Sequence, residues 1–92
     1  MGLTHYAAAK AASLGYMRAL AAEVGRDGVT VNALSLGAMN NFEGHERSAM
    51  GTLIGRAGTP QDVGAAALYL CSDEASWMTG QTIALNGGAS TA

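Results

Sequence analysis

The sequence VTVNAL at residues 29–34 is the stretch from which the fold of this 92-residue chain is best inferred. Its apolar and β-branched residues follow one another almost without interruption, which is typical of a β-strand buried on both faces. Such strands occur in parallel sheets, where helices cover both faces and neighbouring strands complete the hydrogen bonding. We therefore predict an interior strand at residues 29–34, which needs further strands beside it.

A long alanine-rich helix is predicted before this strand, from about Thr4 to Val24. The sequence GRDG at residues 25–28 ends it, because glycine supplies a left-handed cap and the turn that follows. At about 100° per residue, one face carries mostly apolar residues, namely Tyr6, Lys10, Leu14, Met17, Leu20 and Val24. The opposite face carries only small residues, namely Ala8, Ala12, Gly15 and Ala19.

The small residues of the opposite face allow another backbone to approach closely. A helix that is apolar or small nearly all round is buried on both sides. Glycine in the middle of a helix, as at Gly15, lowers helix stability by about 1 kcal/mol relative to alanine. A packing role for this face would explain why glycine stands there. We therefore expect this face to pack against another subunit; the alternative is that the alanines only supply helix propensity.

Tyr6 and Lys10 lie four residues apart, on adjacent turns of the same helix face. An ammonium held beside a phenol favours the phenolate, because a nearby positive charge stabilises the ionised form. A lysine on a mostly apolar face is uncommon and is normally paired or functional. The alternative is that the Lys10 side chain extends along the helix to reach water. The pair alone leaves both interpretations open.

Residues 38–58 form an irregular stretch in which we predict one short helix, roughly over residues 44–53. A further long helix is predicted from Thr59 to about Cys71, because Thr59 can cap its first amides and Pro60 suits the first helical position. The residues of this helix that we expect to face inwards are Val63, Ala66, Ala67 and Leu70.

The last quarter of the chain predicts a turn and a second strand. Residues 72–76 indicate a turn with a short helical piece, in which Asp73-Glu74 is solvated. The sequence QTIAL at residues 81–85 predicts a strand, and Gly87-Gly88 is better explained as the turn that ends it than as an anion cradle. The order helix, strand, helix, strand predicts an α/β fold whose parallel strands are joined by crossover helices.

The composition excludes several classes of protein. Apolar residues make up 49% of the chain and charged residues only 13%, against about 25% charged residues in an average globular domain. The chain therefore has little charge with which to coat a free-standing monomer. With a net charge of −2 and scattered cations, we expect no nucleic-acid partner. We also expect no signal peptide and no membrane-spanning segment.

The cysteine and histidine content points to a cytoplasmic protein without a metal site. The single cysteine, Cys71, excludes an internal disulfide, suits a reducing cytosol, and is expected to pack as a small apolar residue. His5 and His45 have no metal-ligand spacing with acidic residues or with Cys71. Tyr69 and Trp77 are expected to be packing residues, with a subunit contact as the alternative for Trp77.

Four segments, in the same order along the chain, resemble the C-terminal portion of the short-chain dehydrogenase/reductase family, of the type that includes 3-oxoacyl-carrier-protein reductases. They are YAAAKAA at 6–12, GVTVNALSLG at 28–37, GRAGTPQDV at 55–63, and LCSDEA, TGQT and NGG at 70–75, 79–82 and 86–88. The resemblance covers essentially the whole chain. It implies the C-terminal part of a Rossmann-like, doubly wound parallel sheet. Residues 1–92 are then expected to be a single partial domain whose N-terminal half is absent.

The resemblance also implies roles for individual residues. Tyr6 would be the general acid/base that exchanges a proton with the substrate oxygen during hydride transfer. Lys10 would hold the nicotinamide ribose hydroxyls and stabilise the Tyr6 phenolate. Gly37 would let the backbone approach the nicotinamide, the backbone near Met39 would meet its carboxamide, and Asn41 stands where the family commonly has a threonine. The implied cofactor is NAD or NADP.

The chain departs from the family pattern at several points. Leu36 stands where the family usually has a proline, and the segment between Asn41 and Gly55 looks short for the substrate-side lid that the resemblance implies at residues 38–54. No G-x-G-x-x-G sequence precedes a helix, so no phosphate loop is recognised. Ser13 and Ser35 are not placed to replace the catalytic serine that the family carries upstream.

Two functional hypotheses follow. In the first, the chain is part of an NAD(P)-dependent oxidoreductase acting on a small alcohol or carbonyl, and is inactive alone. It would work as a homo-oligomer or in association with the missing N-terminal part. In the second, the chain is a non-catalytic oligomerising module derived from that family, held together through the small-residue helix face.

Overall fold

Within the described part of the chain, two short parallel strands, β1 (Ala33–Leu36) and β2 (Thr82–Leu85), form a sheet. The computed structural model describes residues 2–41 and 43–91. In the sheet, Ala33 is paired with Thr82 and Leu36 with Leu85. The described part of the connection between the strands carries two α-helices, α2 (His45–Ala49) and α3 (Pro60–Leu70), and the short 3₁₀ helix Asp73–Ala75, while α1 (Thr4–Val24) precedes β1. The predicted α/β fold with parallel strands is confirmed.

Both long helices begin and end close to the predicted residues. α1 has the predicted bounds, and Gly28 after it adopts the left-handed backbone with φ +78°. At the start of α3, the Thr59 side chain accepts the Asp62 amide and the Asp62 carboxylate accepts the Thr59 amide, which completes a capping box. The residues of α3 predicted to face inwards are all half-buried, and the neighbouring Leu68 and Tyr69 are exposed.

The strand predicted at residues 29–34 begins four residues later, at Ala33. Before that point the two chain segments are joined largely through side chains. The Val31 amide donates to Thr79 Oγ1 at 3.0 Å, and the Gln81 amide donates to Asn32 Oδ1 at 3.2 Å. Gly80, in the left-handed region with φ +73°, interrupts the extended geometry of the partner segment. A regular ladder can therefore form only from Ala33 onwards.

The short helix predicted at residues 44–53 is also shorter than expected, because α2 ends at Ala49. After it the chain turns, and the Thr52 hydroxyl donates to the Ala49 carbonyl at 2.8 Å. The amides of Leu53 and Ile54 then donate to the Gly87 carbonyl at 2.9 and 3.1 Å. These amides are consequently not free to continue the helix.

The described residues bury little apolar surface. The buried apolar residues are Met17, Ala21, Ala49, Ala57 and Ala75. The accessible surface is 6924 Å², whereas a compact monomer of 9.3 kDa exposes about 5,000 Å². Three packing predictions are wrong for this single chain, because Cys71, Tyr69 and Trp77 are exposed, Trp77 to 98%. These side chains find no facing element to pack against within residues 2–41 and 43–91.

Candidate active site

An open cleft of about 700 Å³ lies between α1 and the β1 segment. Its α1 wall is formed by Tyr6, Lys10, Ser13 and Leu14. Its other wall is formed by residues 33–37, Met39 and Thr82. The cleft therefore places Tyr6, the predicted general acid/base, and Lys10 opposite β1 and the first residues that follow it.

The helix positions Tyr6 and Lys10 because its inner face is anchored further along. Met17 and Ala21 are buried, and a Cβ atom placed on Gly80 would lie 3.7 Å from the Ala21 Cβ, so this part of α1 packs against the turn before β2. Tyr6 and Lys10 lie two to four turns earlier on the helix, where both are exposed and line the cleft. The predicted face of α1 thus continues from packing contacts into the cleft.

The Lys10 ammonium lies over the Tyr6 ring, with Nζ 5.4 Å from the ring centroid. This distance is within the range of a cation–π contact, which an exposed pair holds only weakly. The Tyr6 side chain is 56% exposed, so its phenol is open to the cleft. The arrangement offers one proton-exchanging hydroxyl with one adjacent positive charge.

Gly37 directly follows β1 and lies against Asn86, the residue that follows β2. Its amide donates to the Leu85 carbonyl at 3.0 Å. A Cβ atom on Gly37 would lie 2.8 Å from the Asn86 Cβ and 2.9 Å from the Asn86 Cα, which is closer than such atoms approach. The family resemblance implies a role for Gly37 toward the nicotinamide only. The structure adds a packing reason for glycine that is independent of any ligand.

Met39 is held from one side by Gly58. The Gly58 amide donates to the Ala38 carbonyl at 2.7 Å, and the Asn40 amide donates to the Gly58 carbonyl at 2.9 Å. In extended backbone, successive residues direct their amide and carbonyl to opposite edges. The Met39 amide and carbonyl are therefore directed away from Gly58. We call this backbone contact between residues 38–40 and Gly58 the Met39 bridge.

Asn41 is the predicted site residue that the structure does not bring to the cleft. It is exposed and is absent from the residues that line the walls. Tyr6, Lys10, Gly37 and Met39 do line one cleft. The cofactor role predicted for Asn41 has no geometric support within the described part of the chain.

The segment in which the resemblance implies a substrate-side lid, residues 38–54, is attached at both ends. The Met39 bridge holds its first residues, and the Gly87 carbonyl accepts the amides of Leu53 and Ile54. Gly87 and Gly88 have positive φ values of 61° and 84°, so they form the predicted strand-ending turn. A Cβ atom on Gly88 would lie 2.9 Å from three Leu53 side-chain carbons, so the turn packs tightly on the segment.

A polar cluster centred on Asp62 was not predicted beyond the helix cap. The Arg56 guanidinium donates to both carboxylate oxygens, at 2.7 and 3.2 Å. The Thr59 amide and hydroxyl donate to Oδ2 at 2.8 and 3.1 Å. The spacing Thr59 to Asp62 indicated a cap, whereas no local rule pairs Arg56 with a carboxylate six residues later. We call Arg56, Thr59 and Asp62 the Asp62 cluster.

These hydrogen bonds shift the titration of the cluster. The Arg56 guanidinium first, and then the Thr59 donors, hold the pKa of the Asp62 carboxyl well below its usual range, which is about 3.9 in an unfolded chain. The unfolded chain therefore binds this proton more tightly than the folded chain. The stabilising contribution of the cluster is present above about pH 4 and is lost as the pH falls below it.

The described residues hold neither a metal-binding cluster nor a membrane-spanning helix. Within residues 2–41 and 43–91, no group of three or more His, Cys, Asp or Glu side chains could hold a metal ion. Among the helices described, none is long and apolar enough to cross a lipid bilayer.

Comparison with known proteins gives consistent matches. Residues 1–90 match a family model described as enoyl-(acyl carrier protein) reductase. The chain is 37% identical to 3-oxoacyl-acyl-carrier-protein reductase of Chlamydia muridarum over an alignment of 94 positions. The alignment covers 95% of the chain and 38% of the relative. It is 40% identical to acetoacetyl-CoA reductase of Shinella zoogloeoides over an alignment of 96 positions, which covers 96% of the chain and 40% of the relative.

Solved structures give the same picture. A short chain dehydrogenase from Bacillus anthracis superposes with a TM-score of 0.83 at 39% identity, covering 92% of the chain and 36% of that structure. YwfH, described as an NADPH dependent reductase involved in bacilysin biosynthesis, gives a TM-score of 0.78 at 26% identity, covering 89% of the chain and 38% of that structure. The chain therefore spans about two fifths of the length of the proteins that it matches.

Proposed function

The chain belongs to the short-chain dehydrogenase/reductase family, and from that premise we propose that it carries the proton-transfer part of an NAD(P)-dependent oxidoreductase acting on an alcohol or carbonyl. The observation that supports this most strongly is the shared cleft. It has Tyr6 and Lys10 on one wall and Gly37 and Met39 on the other. These are the four residues to which the resemblance assigns the proton transfer and the contacts with the nicotinamide riboside.

In the proposed reaction, the Tyr6 hydroxyl gives a proton to the substrate oxygen when a carbonyl is reduced, and takes it back when an alcohol is oxidised. The nicotinamide, when bound, supplies or accepts the hydride. The Lys10 ammonium lowers the cost of negative charge on the Tyr6 oxygen, because opposite charges favour the ionised form. Such proton transfer contributes typically ~10²–10⁴-fold to a rate.

The groups around the cleft suit the nicotinamide riboside end of NAD or NADP. The Lys10 ammonium is a donor for ribose hydroxyls. The Met39 amide and carbonyl, directed away from Gly58, are one donor and one acceptor, which is the pair that a primary carboxamide requires. A reducing cytosol is the compartment we infer, since the Cys71 thiol is free and exposed.

The test is a chimera in which residues 1–92 replace the matching stretch of the Chlamydia muridarum reductase. We expect this chimera to oxidise NADPH or NADH in the presence of acetoacetyl-CoA. Lys10→Met should lower kcat/KM at least about tenfold, because the phenolate and the ribose both lose a cation. Arg18→Met, an exposed cation on the same helix, is the matched control and should leave turnover unchanged. Equal losses in the two variants would contradict the proposed role of Lys10.

A second candidate function, the non-catalytic oligomerising module, is favoured by the free face of α1. Ala8, Ala12, Gly15 and Ala19 are all exposed, and a Cβ atom on Gly15 would have nothing within 4 Å. The face is therefore smooth and open in the single chain, as a helix-pairing surface requires.

This candidate predicts that Gly15→Leu disrupts self-association of the chain, because the leucine side chain would hold the paired backbones apart. Sedimentation velocity should show a smaller species for the variant. Gly64→Leu is the matched control, since Gly64 is also a helical glycine with open space around it. If the Gly15→Leu chain sediments as the unsubstituted chain does, this face is not the contact.

A further inference from the structure

The position of Met39 depends on a residue that lies outside the cleft. The Met39 bridge consists of two hydrogen bonds to a single residue, Gly58, at 2.7 and 2.9 Å. Gly58 has no side chain with which to anchor itself, and a Cβ atom there would lie 2.9 Å from the Met39 sulfur. What fixes Gly58 must therefore be the chain on either side of it.

That chain is held by the Asp62 cluster. Arg56, two residues before Gly58, and Thr59, directly after it, both donate to the Asp62 carboxylate. Arg56 Nη1 also donates to the carbonyl of Ala57, which is buried. One carboxylate thus closes residues 56–62 into a loop, with Gly58 on its edge. A carboxylate that accepts a two-pronged guanidinium contact fixes geometry more strictly than a point charge does.

We propose that Asp62 is a positioning residue for the Met39 backbone. Asp62 does not line the cleft of Tyr6 and Lys10 but borders a small separate cavity of about 90 Å³, and Met39 lines both spaces. The coupling runs from the Asp62 carboxylate to residues 56–59, from Gly58 to the Met39 bridge, and from there to the cleft. Its consequence for the nicotinamide carboxamide rests on the proposed function; the coupling itself does not.

The first test measures amide hydrogen exchange in the 92-residue chain by NMR. Asp62→Asn keeps the size of the side chain but removes its charge, and should make the Asn40 and Gly58 amides exchange at least about tenfold faster. The amides of Ala33 and Gly37, which donate to Gln81 and Leu85, are internal references and should keep their exchange rates. Asp73→Asn, an exposed aspartate in a turn, is the matched control.

Unchanged exchange at Asn40 and Gly58 in Asp62→Asn would overturn the proposal. If that variant also releases the reference amides, Arg56→Lys gives the answer, since lysine keeps the charge but cannot make the two-pronged contact. Selective release of Asn40 and Gly58 in Arg56→Lys supports the coupling. Equal release of all four amides, or release of none, overturns it.

The second test introduces Asp62→Asn into the chimera and compares its kinetic constants with those of the unsubstituted chimera. This comparison separates positioning from general stability. A misplaced Met39 backbone should raise the KM for NADPH or NADH about tenfold while kcat stays within about twofold. A merely structural role of Asp62 would lower kcat at unchanged KM, and that result would overturn the positioning role. If the unsubstituted chimera has no activity, the proposed function fails, and the exchange rates still judge the coupling between Asp62 and Met39.

Discussion

Replacing Tyr6 with phenylalanine is expected to lower the kcat of the chimera by about 10²–10⁴-fold, the usual contribution of a positioned general acid/base. The variant keeps the aromatic ring over which the Lys10 ammonium lies, and it keeps the exposed helix surface. Only the hydroxyl that exchanges the proton is removed. The loss should therefore fall on kcat, measured under saturating cofactor and acetoacetyl-CoA, and not on the folded fraction of the protein.

Tyr16→Phe is the matched control for this experiment. Tyr16 lies on the same helix, is 70% exposed, and is not part of the cleft. The same chemical change at that position should leave kcat unaltered. A Tyr6→Phe chimera that retains more than about a tenth of the unsubstituted kcat would show that another group transfers the proton. Far-ultraviolet circular dichroism of both variants should match that of the unsubstituted chimera.

The helices could be predicted from the sequence because their signals are local. α3 begins where Thr59, Pro60 and Asp62 place a cap, a first-turn proline and an acidic residue within four positions. The start of β1 could not be predicted in the same way. It is set by Thr79 and Gly80, which lie more than forty residues away in the sequence, and nothing in residues 29–32 indicates that contact.

Burial was the least predictable property, because it depends on what faces a side chain. Trp77 and Cys71 have apolar character, and sequence reasoning placed both in packed surroundings. In the structure neither has a facing element within the described residues. The low charge content indicates that some apolar side chains are exposed in the single chain, without showing which ones. A chain with 13% charged residues has too little polar surface to cover itself.

In the candidate site, too, local features could be predicted from the sequence and features that depend on distant contacts could not. Helical spacing alone placed Tyr6 and Lys10 together, and the structure brings them into contact. The positions of Gly37 and Met39 were inferred only through the family resemblance, because they depend on hydrogen bonds to Leu85 and Gly58. The Asp62 cluster was missed for a related reason. A pair six residues apart across a loop has no helix or strand period to reveal it.

Gly37→Ala is expected to destabilise the chimera by about 1–3 kcal/mol, the cost of forcing an extra group into a packed site. The added methyl would meet the Asn86 Cβ at 2.8 Å and, more seriously, the Asn86 Cα at 2.9 Å. Backbone cannot rotate away as a side chain does, so the ends of β1 and β2 must separate. The separation would weaken the hydrogen bond from the Gly37 amide to the Leu85 carbonyl and displace the residues that lead to Met39.

Gly64→Ala is the control, and its change in the free energy of unfolding should have the opposite sign to that of Gly37→Ala. Gly64 lies inside α3, and a Cβ atom there would have nothing within 4 Å. Alanine at that position should stabilise the chimera by up to about 1 kcal/mol through helix propensity. Urea unfolding followed by circular dichroism measures both changes as shifts of the midpoint at constant slope. If the two glycines respond alike, the close contact between Gly37 and Asn86 does not hold the strand ends together.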